Sequence, residues 1–174
     1  MRPCAPGILL LAALASLTTQ QPLHAQAGDA TLFELKSDLL SKFWGRDIVM
    51  QAGVVLPPGH DPNKKWAVCY DIHGFGGNHR LAWMHQRWLQ SEMKDNDYPH
   101  LLYVFLNASC PLGHHEFADS ANNGPWGEAL TTEFIPALEA RFGGDGRPAG
   151  RLLTGHSSGG WSSRSRCSVC SSRY

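Results

Sequence analysis

Apolar residues are concentrated in three short runs along the chain. The runs cover about Trp66 to Ile72, Leu101 to Leu106 and 151 to 154, and each is continuous rather than alternating. Continuous apolar runs of this length are typical of strands that are covered on both faces, as in a parallel sheet. A further extended segment, Ile48 to Leu56, ends at two prolines and a glycine. These segments predict the strands of one sheet.

Helical spacing separates the three runs. Two stretches repeat apolar residues every three or four positions, the first at Leu81, Met84, Trp88 and Leu89 and the second at Leu130, Phe134, Leu138 and Phe142. Pro136 offers no N–H, so it must kink the second helix or mark its restart. A short helix is also expected within residues 33–43. The order strand, helix, strand, helix, strand predicts an α/β fold, with a mostly parallel sheet flanked by helices.

The first 27 residues have the pattern of a secretory signal peptide. Arg2 precedes an apolar run, Ile8 to Leu17, and Ala25-Gln26-Ala27 supplies a small-residue cleavage site. This run and all later ones are too short to span a bilayer. We therefore expect a secreted or periplasmic chain that begins at residue 28 and has no membrane segment after cleavage. A short buried N-terminal helix is the alternative interpretation.

Composition and spacing argue against several kinds of partner. The 174 residues include 15 basic and 15 acidic side chains, which argues against a nucleic-acid surface or a polybasic membrane patch. His73, His79 and His85 do not share a helical face, and Cys167-x-x-Cys170 supplies only half of a zinc site. We expect neither a metal nor another cofactor. The oligomeric state and any disulfide pairing are left open.

The pentapeptide Gly155-His156-Ser157-Ser158-Gly159 follows the third apolar run. It matches G-x-S-x-G, in which a serine occupies a strained turn between a strand and a helix and is lifted above the sheet. Glycines are needed at 155 and 159 because side chains there would clash with the neighbouring strand and helix. Ser157 is therefore the candidate nucleophile. The motif alone is a weak signal, and a glycine-rich turn with an incidental serine is the alternative.

A second glycine turn, His73-Gly74-Phe75-Gly76-Gly77, follows the first apolar run. Acyl-transfer enzymes stabilise a tetrahedral oxyanion with two N–H donors, one from each of two such turns. The donors here would be the backbone N–H groups of Phe75 and Ser158, with His73 and Gly74 supporting the first turn. Two such motifs, each at the carboxyl end of a strand and in this order, favour an acyl-transfer site.

Four segments together resemble the N-terminal half of the Putative esterase (esterase D-like) family of α/β-hydrolases. They are VVLPPGHDP, WAVCYDIHGFGG, NNGPWGEALTTEFIPALEARF and RLLTGHSSGGWSS, and the likeness extends from about Asp47 to Ser163. The resemblance implies a carboxylic-ester hydrolase that forms an acyl-enzyme on Ser157, with Phe75 and Ser158 as oxyanion donors. It implies a small-molecule or carbohydrate-linked ester as the substrate.

The chain departs from the family pattern after Ser163. Family members continue with a helix and further strands, whose loops deliver an acid and a histidine. Residues 158–174 contain no Asp, Glu or His. We therefore interpret residues 28–163 as an incomplete α/β-hydrolase domain whose C-terminal part is missing. Residues 164–174 are interpreted as an aberrant, unstructured tail, an out-of-frame run to an early stop.

The nucleotide sequence tests the frameshift. We expect one of the other two reading frames after the Ser163 codon to encode a continuation that resembles the family. If neither frame does so, the frameshift interpretation is wrong.

The histidines upstream of Ser157 do not supply a persuasive general base. His156 adjoins the serine in the turn, so its side chain should point elsewhere, and His73 is expected to order the oxyanion loop. His114 and His115 lie in the long loop of residues 107–125, and an adjacent pair can rarely chelate one metal in good geometry.

Three functions of different kind remain open. The favoured one is an ester hydrolase by ancestry that is inactive as written. The second is a non-catalytic remnant of the same scaffold that binds a carbohydrate or phenolic ligand through the Pro-Trp-Gly of residues 125–127 and other aromatic side chains. The third is a metal-binding protein that uses the histidines.

Overall fold

A five-stranded sheet organises the residues that the computed structural model describes, which are 30–94, 98–110 and 112–164. The expected signal peptide (1–27) and the two cysteines of the Cys167-x-x-Cys170 motif lie outside these ranges. The strands are β1 (Thr31–Lys36), β2 (Val49–Val55), β3 (Val68–Ile72), β4 (Leu102–Leu106) and β5 (Arg151–Gly155). Their spatial order is β1-β2-β4-β3-β5.

The strands β4, β3 and β5 pair in parallel, whereas β1 and β2 join antiparallel. The predicted α/β fold is thereby confirmed. Parallel pairing brings the carboxyl ends of β3 and β5 to the same edge of the sheet, where Ile72 lies opposite Gly155. Each of the two glycine-containing turns therefore starts from this edge. Within the described ranges β5 pairs only with β3, and Leu152 is 49% exposed.

Helices cover both faces of the sheet. The helices α1 (Asp38–Trp44), α3 (Trp126–Ala129) and α4 (Ile135–Phe142) cover one face, and α2 (Leu81–Glu92) covers the other. On the first face Phe134 and Leu138 pack against Tyr70 and Val104 in the main core. A last helix occupies residues 158–164, directly after Ser157. Arg164 is thus helical, although the sequence analysis assigned it to an unstructured tail.

Shorter elements complete the connections. The loop after β4 contains two small antiparallel ladders, Ser109–Cys110 with Gly113–His114 and Asp119–Ser120 with Gly124–Pro125. A 3-10 turn, Pro148–Gly150, leads into β5. No helix in the described ranges is long and apolar enough to cross a membrane.

The prediction of a helix within residues 33–43 was wrong for the first half of that segment. Residues 33–36 belong to β1, which pairs along its whole length with β2. The helix α1 begins only after Ser37, whose hydroxyl accepts a hydrogen bond from the Leu40 N–H. The β1 segment pairs with a strand that the sequence did predict, and this long-range pairing outweighs the local helical spacing.

The buried face of α2 also differs from the predicted stripe. Met84 is 75% exposed and Trp88 is 53% exposed, whereas Ala82 and Leu89 are buried. The reason is a close contact with β2, because a Cβ added to Gly53 would lie 2.5 Å from the Ala82 Cβ. Two small residues let the helix approach the sheet, and the bulkier side chains turn outward.

Pro136 interrupts the second predicted helix as expected. The segment Leu130–Phe134 forms a π-helical turn between α3 and α4, and the Ile135 N–H donates to the Leu130 carbonyl. Pro136 then lies in the first turn of α4, where its missing N–H is tolerated.

A buried ion pair joins β5 to α4. The Arg151 guanidinium donates two hydrogen bonds of 2.7 Å to the two carboxylate oxygens of Glu139, and each side chain is only 5% exposed. The Tyr70 hydroxyl donates a further hydrogen bond of 3.0 Å to the same carboxylate. This bidentate geometry fixes the start of β5, the strand that leads into the Ser157 turn.

We predict that Glu139→Ala lowers the free energy of unfolding by about 3–5 kcal/mol, because it removes the carboxylate that pairs with the buried Arg151 guanidinium. Chemical denaturation monitored by circular dichroism measures the change. The matched control is Arg147→Ala, which removes the exposed ion pair with Asp145 and should leave the unfolding midpoint unchanged. Equal effects of the two substitutions would contradict the prediction.

Candidate active site

The candidate nucleophile lies in a strained turn. Ser157 has a φ of 57°, in the left-handed region that non-glycine residues rarely adopt. This conformation costs on the order of 1–2 kcal/mol, and its side chain is exposed beyond the end of β5. Strain of this kind at an exposed serine is typical of a functional turn.

The two glycines of the motif permit the close packing of this turn. A Cβ on Gly155 would lie 2.4 Å from the Gly159 carbonyl oxygen, and one on Gly159 would lie 1.8 Å from the Ile72 carbonyl oxygen. Any side chain at 159 would therefore overlap the end of β3. The helix of residues 158–164 can start above the sheet only because both positions are glycine.

The second glycine turn touches the first. A Cβ on Gly74 would lie 3.2 Å from the Ser157 Cβ and 3.2 Å from the His156 carbonyl oxygen. Phe75 follows with its side chain 79% exposed. In the described part of the chain, neither the Phe75 N–H nor the Ser158 N–H has an acceptor. Two unpaired amides thus flank the serine, one from each turn.

His73 is a structural residue of the second turn. It is 2% exposed, and its Nε2 accepts a hydrogen bond of 2.9 Å from the Ala108 N–H. Its Nδ1 must therefore carry the proton, which it donates to the Gly74 carbonyl oxygen at 2.7 Å. Burial lowers the pKa of His73, so the ring is neutral at pH 7. With both ring nitrogens bonded to the backbone, His73 cannot serve as the base for Ser157.

The two loop histidines also make defined contacts. The His114 Nε2 donates to the His73 carbonyl oxygen at 3.2 Å. His115 stacks on Trp126 with ring centroids 3.8 Å apart, and its Nδ1 accepts a hydrogen bond from the Phe117 N–H. In the described ranges no group of three or more His, Cys, Asp or Glu side chains could hold a metal ion.

The expectation that Trp126 offers an aromatic surface for a ligand is wrong. Its side chain is 4% exposed and packs in the main core. The indole Nε1 donates to the Asn123 carbonyl oxygen at 2.7 Å, which closes the loop before α3. The Pro-Trp-Gly segment is therefore a packing element.

An aromatic cavity of about 620 Å³ lies beside the site. Its wall includes Phe75, Trp88 and Phe105, together with the carboxyl group of Asp71. Burial raises the pKa of Asp71 above its usual value. Ser157 is not part of the wall, so the cavity adjoins the oxyanion turn rather than the serine itself. Sequence reasoning missed this cavity, because α2 was expected to bury Trp88 in the core.

The chain has the α/β-hydrolase architecture, and solved structures with this fold resemble it. A ferulic acid esterase superposes with a TM-score of 0.62 at 19% identity, over 79% of this chain and 55% of that one. The S-formylglutathione hydrolase of Agrobacterium tumefaciens gives a TM-score of 0.55 at 22% identity, over 79% of this chain and 52% of that one. A ferulic acid esterase of Anaeromyces mucronatus, solved with ferulic acid, gives a TM-score of 0.55 at 17% identity, over 80% of this chain and 52% of that one.

The family model described as "Putative esterase" matches residues 44–163. The chain therefore belongs to this esterase family. It spans about half the length of the solved structures that it resembles. A search of curated proteins gave no match.

We predict that the buried histidines make the free energy of unfolding fall in acid. Burial lowers the pKa of His115 to about 3, whereas an unfolded histidine titrates near 6.5. Below about pH 6.5 the unfolded chain therefore binds more protons than the folded chain, and the free energy of unfolding falls as the pH drops toward about 3. His73, whose pKa is also lowered, acts in the same direction. Urea unfolding at a series of pH values measures this slope.

His115→Asn should flatten that pH dependence, since asparagine keeps an acceptor for the Phe117 N–H but does not titrate. The matched control is His100→Asn, which changes an exposed histidine and should leave the slope unchanged. If His115→Asn retains the full slope, His115 is not the group responsible.

Proposed function

We propose that this site is the nucleophile and oxyanion half of a secreted serine carboxylic-ester hydrolase. Ser157 is the nucleophile, and the backbone N–H groups of Phe75 and Ser158 are the oxyanion donors. The observation that carries the proposal is the contact between Gly74 and the Ser157 turn, next to which the Phe75 and Ser158 amides have no acceptor among the described residues. Amides held in place before the reaction are what stabilises charge that develops in the transition state.

The proposed reaction is acyl transfer to the serine. The Ser157 oxygen attacks the ester carbonyl carbon, the carbonyl oxygen takes the negative charge between the two amides, and the alcohol leaves. Water then attacks the acyl-serine, which releases the carboxylic acid and restores the hydroxyl. Both steps need a base that takes the proton from the attacking oxygen.

Among the described residues, neither His73 nor His114 is free to act as this base for Ser157. Both ring nitrogens of His73 are bonded to backbone groups, and the His114 Nε2 donates to the His73 carbonyl. Residues 158–174 contain no Asp, Glu or His. Loss of the serine–histidine pair costs on the order of a millionfold in turnover in a serine hydrolase. We therefore propose that this polypeptide does not turn over esters.

The proposed substrate is a small-molecule or carbohydrate-linked ester, with no cofactor and no nucleic-acid partner. Two of the similar structures were solved with ferulic acid and with sinapinate, both aromatic carboxylic acids. The exposed ring of Phe75 beside the serine would suit an aromatic acyl group.

A second function is favoured by the aromatic cavity. A chain without turnover could still bind a phenolic ligand, and the cavity beside Phe75 offers several aromatic rings and one carboxyl group for such a ligand. This alternative replaces the binding surface that the sequence had assigned to Trp126.

We predict that p-nitrophenyl acetate is not hydrolysed by the chain alone, and that added imidazole, as an external base, promotes acetylation of Ser157. Intact-protein mass spectrometry after rapid removal of the imidazole should show a single added acetyl group, which then persists because deacylation lacks a base. The control is Ser157→Ala with the same imidazole concentration, which corrects for acetylation of other side chains.

Two outcomes would contradict the proposal. Hydrolysis without imidazole that Ser157→Ala abolishes would show that the chain holds its own base. Equal acetylation of the wild-type chain and Ser157→Ala would remove Ser157 as the nucleophile.

A further inference from the structure

A hydrogen-bonded network connects the two turns that flank Ser157 through the long loop. The His114 Nε2 donates to the His73 carbonyl oxygen, which immediately precedes Gly74. The His114 Nδ1 accepts a hydrogen bond of 3.2 Å from the Glu116 backbone N–H, and it lies 3.0 Å from one carboxylate oxygen of the same residue. The other carboxylate oxygen accepts a hydrogen bond from the Ser162 hydroxyl. Glu116 therefore joins the turn of His73 to the helix that follows the nucleophile.

The network is shielded from solvent and its ends are fixed. The side chain of His114 is 4% exposed, that of Glu116 is 26% exposed, and Ser162 is fully buried. Ser162 lies one helical turn after Ser158, and its hydroxyl is also 3.1 Å from the Ser158 carbonyl oxygen. The hydrogen bond from the Ser162 hydroxyl to the Glu116 carboxylate is charge-assisted, and such a bond with little exposure is stronger than one on the surface.

The backbone is strained where it presents this carboxylate. Glu116 has a φ of 55° and Phe117 a φ of 49°, and both are non-glycine residues in the left-handed region. Phe117 is 1% exposed and its N–H is bonded to His115, which anchors the strained segment in the core. The loop thus holds Glu116 in a conformation that it would not adopt by itself.

We propose that His114 and Glu116 are positioning residues that set the separation of the two oxyanion donors. One end of the network acts on the carbonyl that leads into Gly74 and Phe75, and the other acts on the first turn of the helix that begins at Ser158. The inference rests on the proposed function for its meaning in catalysis, but the coupling between the two turns is a separate physical claim.

Two adjacent serines of the same helix provide a matched test of this coupling. Ser162 and Ser163 are both buried, and each hydroxyl lies within hydrogen-bond distance of a backbone carbonyl one turn earlier, but the bond to Glu116 belongs to Ser162. In a chain labelled with nitrogen-15, Ser162→Ala should shift the Phe75 amide resonance, and Ser163→Ala should not. Both variants lose one buried hydroxyl, so a loss of packing alone predicts no difference between them at Phe75.

Substitutions of Glu116 supply the second pair of variants. Glu116→Ala removes the carboxylate that contacts His114 and accepts from Ser162, while the backbone N–H bond to His114 remains. It should shift the Phe75 and Ser158 amides together. Glu116→Gln keeps the length of the side chain and a hydrogen-bonding group toward each partner, so it should restore both resonances toward the wild-type positions. This pair of variants tests the coupling between the two turns if Ser162→Ala does not fold.

Ferulate binding connects the coupling to the site. A carboxylate held by the two oxyanion donors should shift the Phe75 and Ser158 amides of the wild-type chain on titration. Ser162→Ala and Glu116→Ala should raise the Kd for ferulate about tenfold, the effect of one charge-assisted hydrogen bond. Ser163→Ala should leave it unchanged.

The outcomes separate the two claims. If ferulate shifts neither amide of the wild-type chain, the proposed oxyanion site is wrong, while the ligand-free comparison of Ser162→Ala with Ser163→Ala still decides the coupling. If Ser162→Ala and Ser163→Ala give the same Phe75 resonance, or Glu116→Ala leaves both amides in place, the positioning role of Glu116 and His114 is overturned.

Discussion

The site depends on one steric constraint, the absence of a side chain at Gly159. The backbone at this position lies so close to the carboxyl end of β3 that a Cβ would overlap the Ile72 carbonyl oxygen. This contact sets the first turn of the last helix on the neighbouring strand, and it brings the Ser157 turn against Gly74. The two unpaired amides, the exposed serine and the strained φ of Ser157 all follow from that one close approach.

Three buried histidines near the serine, His73, His114 and His115, form hydrogen bonds with backbone groups and, within the described ranges, none with the Ser157 hydroxyl. His73 bonds Ala108 and Gly74, His114 bonds the His73 carbonyl, and His115 bonds the Phe117 amide. Three backbone segments, residues 73–74, Ala108 and residues 114–117, are thereby joined by imidazole rings with little exposure to water. This arrangement suits an oxyanion site, because donors that do not reorganise during the reaction stabilise developing charge most effectively.

Much of the fold could be predicted from the sequence, because its strands are continuous apolar runs and its turns are marked by glycine. Pro136 likewise located the break before α4 correctly. The edge strand β1 was missed, since its Phe33–Lys36 segment gains its structure from pairing with β2 and has no distinctive local pattern. The buried face of α2 was misassigned because the contact of Gly53 with Ala82 involves residues too small to contribute to an apolar stripe.

The candidate site likewise contains some features that local sequence predicts and others that depend on long-range contacts. The turns that carry Ser157, Phe75 and Ser158 could be predicted, because glycine spacing reports backbone geometry directly. The Glu116 carboxylate could not be predicted, since it is positioned by a left-handed backbone conformation, and no sequence pattern indicates that conformation at a glutamate. The burial of Trp126 was also invisible, because it depends on the stacked ring of His115.

The ion pair of Arg151 with Glu139 has a consequence for the opposite end of its strand. Side chains alternate between the faces of a sheet, so a slip of β5 by one residue would carry the guanidinium away from α4 and leave the Glu139 carboxylate buried without a cation. The ion pair therefore fixes the register of β5 against α4. The location of the serine hydroxyl is decided, in part, by a charge interaction six residues before it.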